Sequence, residues 1–391
     1  MRIAYFTDTY SPEINGVTNT LSRLGTCLAE KHIHQVIFAP AYENEAVLPH
    51  RENRYSAYRI LYRFRGLKTH LSPKSRLAFP AFWEIDEICD DFKPDLVHVS
   101  TELGIGFRGM RYAVTRRLPL VMSYHTNYVE YLRYFYLEPL KPLLEKYLSW
   151  FYHFAHRVLV PSRHTLEELF QRQYRNLDLW SRGIDTALFN PRCRNEDLRN
   201  HIGKDKFIFL YVGRLSPEKS LDMLLYAAAE LEHRFPGKTA FVFTGDGPYA
   251  ETIQKQNLPH VVLTGFKQGR ELSEIYASAD CFVFPSGTET FGNAALEAMA
   301  SGLPVAGVAR GGVTDFLFHE NNALLCPQGS REAFLENLVR LMEDSKLRRG
   351  LAENARKTAL TRDWNRVFDG LINTYREVIE EQRGRYWKRA S

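Results

Sequence analysis

The chain has 391 residues, 45% of them apolar and 25% charged, and a net charge of +5 at neutral pH. That is material for two globular domains, and too small a charge excess for a dedicated nucleic-acid binder. No run approaches the roughly 18 apolar residues of a spanning helix, and the opening stretch reaches Asp8 too early for a secretory leader. The five cysteines, Cys27, Cys89, Cys193, Cys281 and Cys326, are scattered and form no Cys-x-x-Cys pair. A reducing, cytoplasmic setting without disulfides or a structural zinc is therefore expected.

Short apolar runs alternate with helix-length segments, as in parallel α/β sheets. Ile3 to Thr7 reads as a buried strand, Val17 to Lys31 as a helix and Gln35 to Ala39 as the next strand. The stretch from His50 to Arg76 crowds Lys and Arg, interleaved with aromatics, against a single acid, Glu52. Residues Tyr128 to Arg157 are rich in Tyr, Phe and Trp. Cations with rings suit an anionic membrane surface, and a solvated loop followed by a packed helix is the plainer alternative. Further strands are expected at Leu96–Val99, Leu120–Ser123 and Val158–Val160.

From Leu177 to Arg199 the alternation lapses into Asn, Asp, Pro and Arg, which predicts a linker. It then restarts: a strand at Phe207–Val212, a helix from about Glu218, and strands at Ala240–Thr244, Val261–Leu263, Cys281–Phe284 and Val305–Val308. Two doubly wound domains follow, 1–180 and 181–363, with ligands expected beyond the carboxyl ends of their strands, in the cleft between them. A long charged helix, about 364–391, comes last.

Pro285 to Pro304, PSGTETFGNAALEAMASGLP, is the most informative segment. A helix is expected from Phe291 and Gly292 to Ala300, ended by Gly302 and Pro304. Glu289 and Glu297 stand eight residues apart, about 12 Å if all of it were helix. That matches a sugar, a diphosphate and a ribose laid in line. Glu289 would then take sugar hydroxyls, the amides near Asn293 the diphosphate, and Glu297 the ribose. The alternative is an acid of the first helical turn and an acid on an exposed face.

Gly213 to Ser220, GRLSPEKS, follows the first strand of the second domain. Arg214 and Lys219 leave the sheet edge where a diphosphate would lie, and two fixed cations can neutralise a departing diphosphate as Mg²⁺ does elsewhere. No Asp-x-Asp occurs in the chain. In Asp8 to Thr20, DTYSPEINGVTNT, Gly16 allows a phosphate close to a helix start, although a single-glycine loop is a weak signal. His125, in SYHTN, ends a first-domain strand and would face the donor sugar or the acceptor. Asp246 in GDGP, and Phe266 and Lys267 in GFK, end two second-domain strands, either as walls for the nucleotide base or as ordinary strand-end turns.

Taken together, from the NGV loop through RLSPEKS and GDGPY to ETFGNAALEAMASGLP, the whole chain resembles glycosyltransferase family 4 of GT-B fold. MSYHT, LWSRGIDTALFNPR and YASADCFVFPS give it a closer likeness to the sulfoquinovosyl-, mannosyl- and glucosyl-transferases that act on lipids. The resemblance implies two facing Rossmann-like domains with the active site in the interdomain cleft. It also implies a retaining transfer of a hexose-type sugar from a GDP- or UDP-linked donor, with no metal and no other cofactor. A lipid or lipid-linked glycan acceptor at the inner face of the membrane would follow, with a soluble sugar acceptor as the alternative.

By the same resemblance Arg214 and Lys219 are the diphosphate pair, Glu289 the sugar ligand, Glu297 the ribose ligand and His125 the cleft histidine. Phe291, Gly292, Asn293 and Leu296 form the donor segment, and Gly16 the phosphate-facing loop, here preceded by Asn15 where many relatives have a second glycine. The last helix is expected to fold back onto the first domain. The departing diphosphate itself would take the acceptor's proton; double displacement through a carboxylate finds no evident nucleophile. Epimerases, phosphorylases and non-enzymatic sugar binders share the architecture, but both cations and both glutamates favour transfer.

Overall fold

A computed structural model describes residues 1–42, 50–51, 57–68, 76–134 and 137–390. The chain divides into two compact units. The first comprises Met1–Val129, Leu137–Ser181 and Asn365–Ser391; the second comprises Glu130–Tyr136 and Arg182–Trp364.

In the first unit the strands are β1 (Arg2–Phe6), β2 (His34–Ala41), β3 (His50–Arg51), β4 (Arg59–Lys68), β5 (Arg76–Ala78), β6 (Leu96–Val99), β7 (Leu120–Ser123), β8 (Arg157–Val160) and β9 (Leu177–Leu179). They form a sheet in the order β3-β4-β2-β1-β6-β7-β8-β9, with β5 paired to β4. From β4 to β9 the neighbours run parallel, while β3 and β5 lie antiparallel to β4. Because helices cover both faces, the central strands are apolar throughout rather than alternating: Ile3, Ala4, Phe6, Val97, Val121 and Met122 are all inaccessible to solvent. Each large side chain so buried contributes about 1.5–3 kcal/mol.

The second unit contains β10 (Phe207–Val212), β11 (Thr239–Thr244), β12 (Val261–Gly265), β13 (Cys281–Phe284), β14 (Val305–Val308) and β15 (Ala323–Cys326). Its order is β12-β11-β10-β13-β14-β15, parallel throughout. The chain leaves β10 in one direction to build β11 and β12 and returns to build β13 to β15, so the order reverses between β10 and β13. The corresponding reversal in the first sheet lies between β1 and β6. Ligands of doubly wound sheets bind at such reversal points.

Several expectations need correction. The two units divide within the stretch 177–199, between Ser181 and Arg182, but that stretch is structured rather than irregular. It opens with β9 at the edge of the first sheet, buries Trp180, Arg182, Ile184 and Phe189, and ends in the helix Glu196–Gly203, capped by the Asn195 side chain. Its polar residues are caps and turns. The helix expected from Glu218 begins at Leu221, because Pro217–Lys219 first make a 3₁₀ turn and Ser220 takes a left-handed backbone conformation, φ 54°. The helix expected from Phe291 begins at Asn293, after Gly292 at φ 97°; only the second half of the Glu289–Glu297 stretch is helical.

The basic stretch departs furthest from expectation. Its middle is β4, and Arg59, Arg63 and Arg76 are buried; residues 52–56 and 69–75 lie outside the described residues. Arg63 donates to the carbonyls of Pro40 and Ser11, at 3.0 and 2.5 Å, and lies over the rings of Tyr10 and Tyr42. Only Arg65 and Lys68 of the described cations on β4 are exposed.

The last helix, Trp364–Ala390, buries Phe368, Leu371, Ile372, Tyr375, Val378 and Ile379, a stripe at helical spacing. At its centre the Tyr375 hydroxyl, the Tyr5 hydroxyl and His98 Nδ1 make 2.6 Å hydrogen bonds. His98 Nε2 bonds the Ser123 hydroxyl, also at 2.6 Å. Burial pushes the His98 pKa down to about 3, so this core histidine is neutral. No described helix is long and apolar enough to cross a membrane.

Candidate active site

Both loops at the reversal of the second sheet carry expected residues, and the fold brings two of them into contact. Lys219, in the 3₁₀ turn after β10, is nearly buried, and its ammonium forms an ion pair with Glu289 in the loop after β13. Thr288 Oγ1 donates to the Glu218 carbonyl at 3.3 Å, tying the same loops together. Glu289 also holds the next loop, because its carbonyl accepts from the Gly312 amide at 2.7 Å. Arg214 stands apart, exposed to solvent; its carbonyl accepts from the Tyr211 hydroxyl at 2.9 Å.

Gly292 serves as the cap of the helix Asn293–Ala300. At its left-handed φ a side chain would be strained, and a Cβ would lie 2.4 Å from Val313 Cγ1. The first-turn amides of that helix lack intrahelical partners and give the positive end of its dipole. Phe291 and Leu296, expected at the donor, turn their side chains into the core. Phe291 packs against Phe316, with ring centroids 5.1 Å apart, so only their backbones remain for a ligand. Glu297 is half-buried and accepts a 3.0 Å hydrogen bond from Tyr276.

At the other strand ends, Asp246 is exposed and caps its own turn through the Gly247 amide at 2.8 Å. Gly245 is required there, since a Cβ would meet the Gly213 carbonyl oxygen at 1.9 Å. Phe266 projects with 52% of its surface exposed, and Lys267 pairs with Glu271 at 3.6 Å.

His125 and Gly16 belong to the first unit. His125 follows β7, half-buried, with its ring edge-on to Trp180 at 5.7 Å; Trp180 in turn meets His98 at 5.8 Å. Gly16 is exposed at the first position of the helix Gly16–Glu30. The preceding Asn15 is the cap: its side chain accepts from the Val17 and Thr18 amides while its own amide donates to Thr18 Oγ1. An asparagine in place of a second glycine thus has a local reason.

Sequence reasoning missed a cluster at the reversal of the first sheet. Asp8, just after β1, accepts from the Thr101 hydroxyl at 2.7 Å and from the Ile105 amide at 2.8 Å. Glu102, just after β6, is buried and accepts from the Tyr152 hydroxyl at 2.5 Å. Burial pushes the Glu102 pKa up to about 8 and raises that of Asp8 as well. A carboxyl two residues beyond a strand at a sheet reversal was the available signal.

Two such units, each with its polar residues at the sheet reversal, make the GT-B architecture of glycosyltransferases. The chain is one of them and belongs to glycosyltransferase family 4: that family matches residues 14–188, and Glycosyl transferases group 1 matches residues 194–358. A GDP-mannose-dependent alpha-mannosyltransferase of Mycobacterium tuberculosis is 32% identical over 97% of this chain and 97% of its own length. Sulfoquinovosyl transferase SQD2 of Arabidopsis thaliana is 34% identical over 70% of this chain and 54% of its own. Alpha-monoglucosyldiacylglycerol synthase of Streptococcus pneumoniae is 31% identical over 78% and 70%. Among solved structures, sucrose-phosphate synthase of Thermosynechococcus elongatus superposes with a TM-score of 0.76 at 20% identity, covering 97% of this chain and 99% of its own.

Proposed function

We propose that the chain is a retaining, metal-independent transferase that moves a hexose-type sugar from a nucleoside diphosphate to a membrane lipid or lipid-linked glycan. The observation that carries this reading is the Lys219–Glu289 pair at the reversal of the second sheet, beside a helix N-terminus. A cation and helix amides there suit a diphosphate, and a carboxylate beside them suits sugar hydroxyls. Glu297, one turn into the same helix, then meets the ribose, and the exposed Phe266 ring offers a stacking face to the base. In this reading Arg214, Lys219 and the helix amides neutralise the charge on the diphosphate.

In the step itself the anomeric carbon–oxygen bond to the diphosphate breaks and a bond to the acceptor oxygen forms on the same face. The acceptor's proton passes to a diphosphate oxygen, so the donor's configuration is kept. Lys219, Arg214 and the helix amides stabilise the negative charge as it develops, a task worth about 3–4 kcal/mol per well-placed donor. His125, held edge-on by Trp180, orients the reacting sugar or the acceptor.

A lipid acceptor is supported by cations and exposed rings of the first unit. Arg108 and Arg111 of the helix Gly104–Arg116 lie over the Phe82 ring, at 3.8 and 4.2 Å. Trp83 beside Phe82 is 67% exposed, as is 68% of Leu143. Trp150, two turns after Leu143 on the helix Lys141–Tyr152, stacks on Phe107 at 6.3 Å. Rings and cations of this kind favour the inner, anionic surface of a cell membrane, and they take the role that the buried arginines of β4 do not. The test is a transfer assay with EDTA, UDP- and GDP-sugars, and anionic vesicles carrying diacylglycerol. Product on the lipid with the donor's anomeric configuration supports the reading. Transfer only to free sugars overturns the lipid acceptor, a metal requirement overturns the charge neutralisation, and binding without turnover overturns the enzyme. Trp83→Asp with Leu143→Asp should reduce vesicle sedimentation at least tenfold, at about 0.8 kcal/mol per withdrawn methylene.

A further inference from the structure

Tyr276 is fully buried on the helix Gly269–Ser278, in the segment YASAD that no role above has used. Phe189 packs edge-on to its ring at 5.6 Å and Phe282 lies tilted at 5.8 Å, so the ring has one place to sit. Its hydroxyl faces the helix Asn293–Ala300, donating to Glu297 Oε2 at 3.0 Å with the Ala294 carbonyl 3.2 Å away. Burial and the neighbouring Glu297 carboxylate both raise the Tyr276 pKa far above the ordinary phenol value. The hydroxyl therefore keeps its proton and remains a donor across the physiological range.

We propose that Tyr276 is a positioning residue that sets the plane of the Glu297 carboxylate and thereby gives the enzyme its preference for ribose over 2′-deoxyribose in the donor. The proposal rests on the reading that Glu297 takes the ribose hydroxyls. Two adjacent hydroxyls are gripped well only by a carboxylate of fixed plane, as a glutamate side chain otherwise rotates freely about its last bond. A hydrogen bond from a rigid buried donor removes that rotation before the nucleotide arrives, so its ordering cost is already met. Loss of the bond leaves the carboxylate present but unaimed, which weakens the diol contact and spares everything at the diphosphate.

Tyr276→Phe removes the hydroxyl alone. The Ala294 carbonyl keeps its place in the helix ladder, so the fold is retained, as an unchanged thermal midpoint would show. Binding of UDP, GDP and their 2′-deoxy forms is to be measured by calorimetry on the full chain, with transfer kinetics beside it. The expected result is about tenfold weaker binding of the ribonucleotides, the scale of one hydrogen bond to a charged group, with 2′-deoxy binding within about twofold of wild type. The ribose preference then collapses toward unity, KM for the donor rises and kcat changes less than about threefold. In a Glu297→Gln background the same substitution should add less than about twofold.

Equal weakening of ribo and deoxy forms would overturn the proposal in favour of a purely structural role, and so would an unchanged ribose preference. Failure of the underlying reading looks different. There, wild type itself shows no preference for the ribonucleotide and Glu297→Gln leaves nucleotide affinity unaltered.

Discussion

The two sheet reversals share a topology and differ in electrostatics. In the second unit the loops after β10 and β13 meet through ionised groups, Lys219 and Glu289. In the first, the loops after β1 and β6 meet through Asp8 and Thr101, with Glu102 beside them held neutral at ordinary pH by burial. His98, one strand residue from that edge, is neutral for the same reason. One reversal presents a cation paired with a carboxylate, the other a cluster of hydrogen-bonded carboxyls, and the proposed diphosphate site draws on the first.

The sharpest way to break this contrast is Lys219→Ala. It removes the cation and strands Glu289, and kcat/KM should fall by about a thousandfold or more, the scale of a lost transition-state donor. Initial rates of Lys219→Ala, Glu289→Gln and the double variant give the coupling. The double loss should be far smaller than the product of the single losses, whereas additive losses would mean that the pair does not act together.

A second effect belongs to the first unit. Tyr375→Phe deprives both His98 and the Tyr5 hydroxyl of a buried partner and should cost about 1–3 kcal/mol of stability. Denaturant midpoints measure it, and a change under about 0.5 kcal/mol would show that the Tyr375 hydroxyl adds little to the hold of the last helix.

The third effect is smaller and concerns pH. The Glu102 pKa rises from 4.5 to about 8 on folding, so between those values the native chain holds a proton that the unfolded chain releases. Its contribution to stability is present in full below pH 4.5 and lost as pH rises toward about 8. His98 acts oppositely but only below 6.5, its ordinary value, so above 6.5 the fall comes from the buried carboxyls, and the Glu102→Gln variant separates Glu102 from Asp8, whose pKa burial also raises. Wild type should lose up to about 1.4 kcal/mol per pH unit there, and Glu102→Gln should flatten the slope. Equal slopes in the two proteins would mean that Glu102 is ionised in the fold.

The legibility of these features in the sequence follows from how local they are. Strands Leu96–Val99, Phe207–Val212, Cys281–Phe284 and Val305–Val308 stand where apolar runs place them, since a strand covered on both faces leaves no other pattern. The helix starts expected at about Glu218 and at Phe291 and Gly292 fall later, at Leu221 and Asn293, because Pro217 and Gly292 impose turns that propensity does not weigh. Arg63 reads as surface charge because burial of its guanidinium depends on carbonyls from distant segments, Pro40 and Ser11. Tyr276 and His98 were invisible for the same reason. Their partners lie 21 and 277 residues away along the chain, and neither sits in a run that signals anything but core.

The most direct test of the central claim is calorimetric binding of UDP and GDP to the full chain and to Lys219→Ala, with EDTA throughout. One of the two diphosphates should bind wild type without metal, and Lys219→Ala should weaken that binding at least tenfold, the worth of a charge-assisted contact. Equal binding by both proteins, or none by wild type until a divalent cation is added, would contradict the claim.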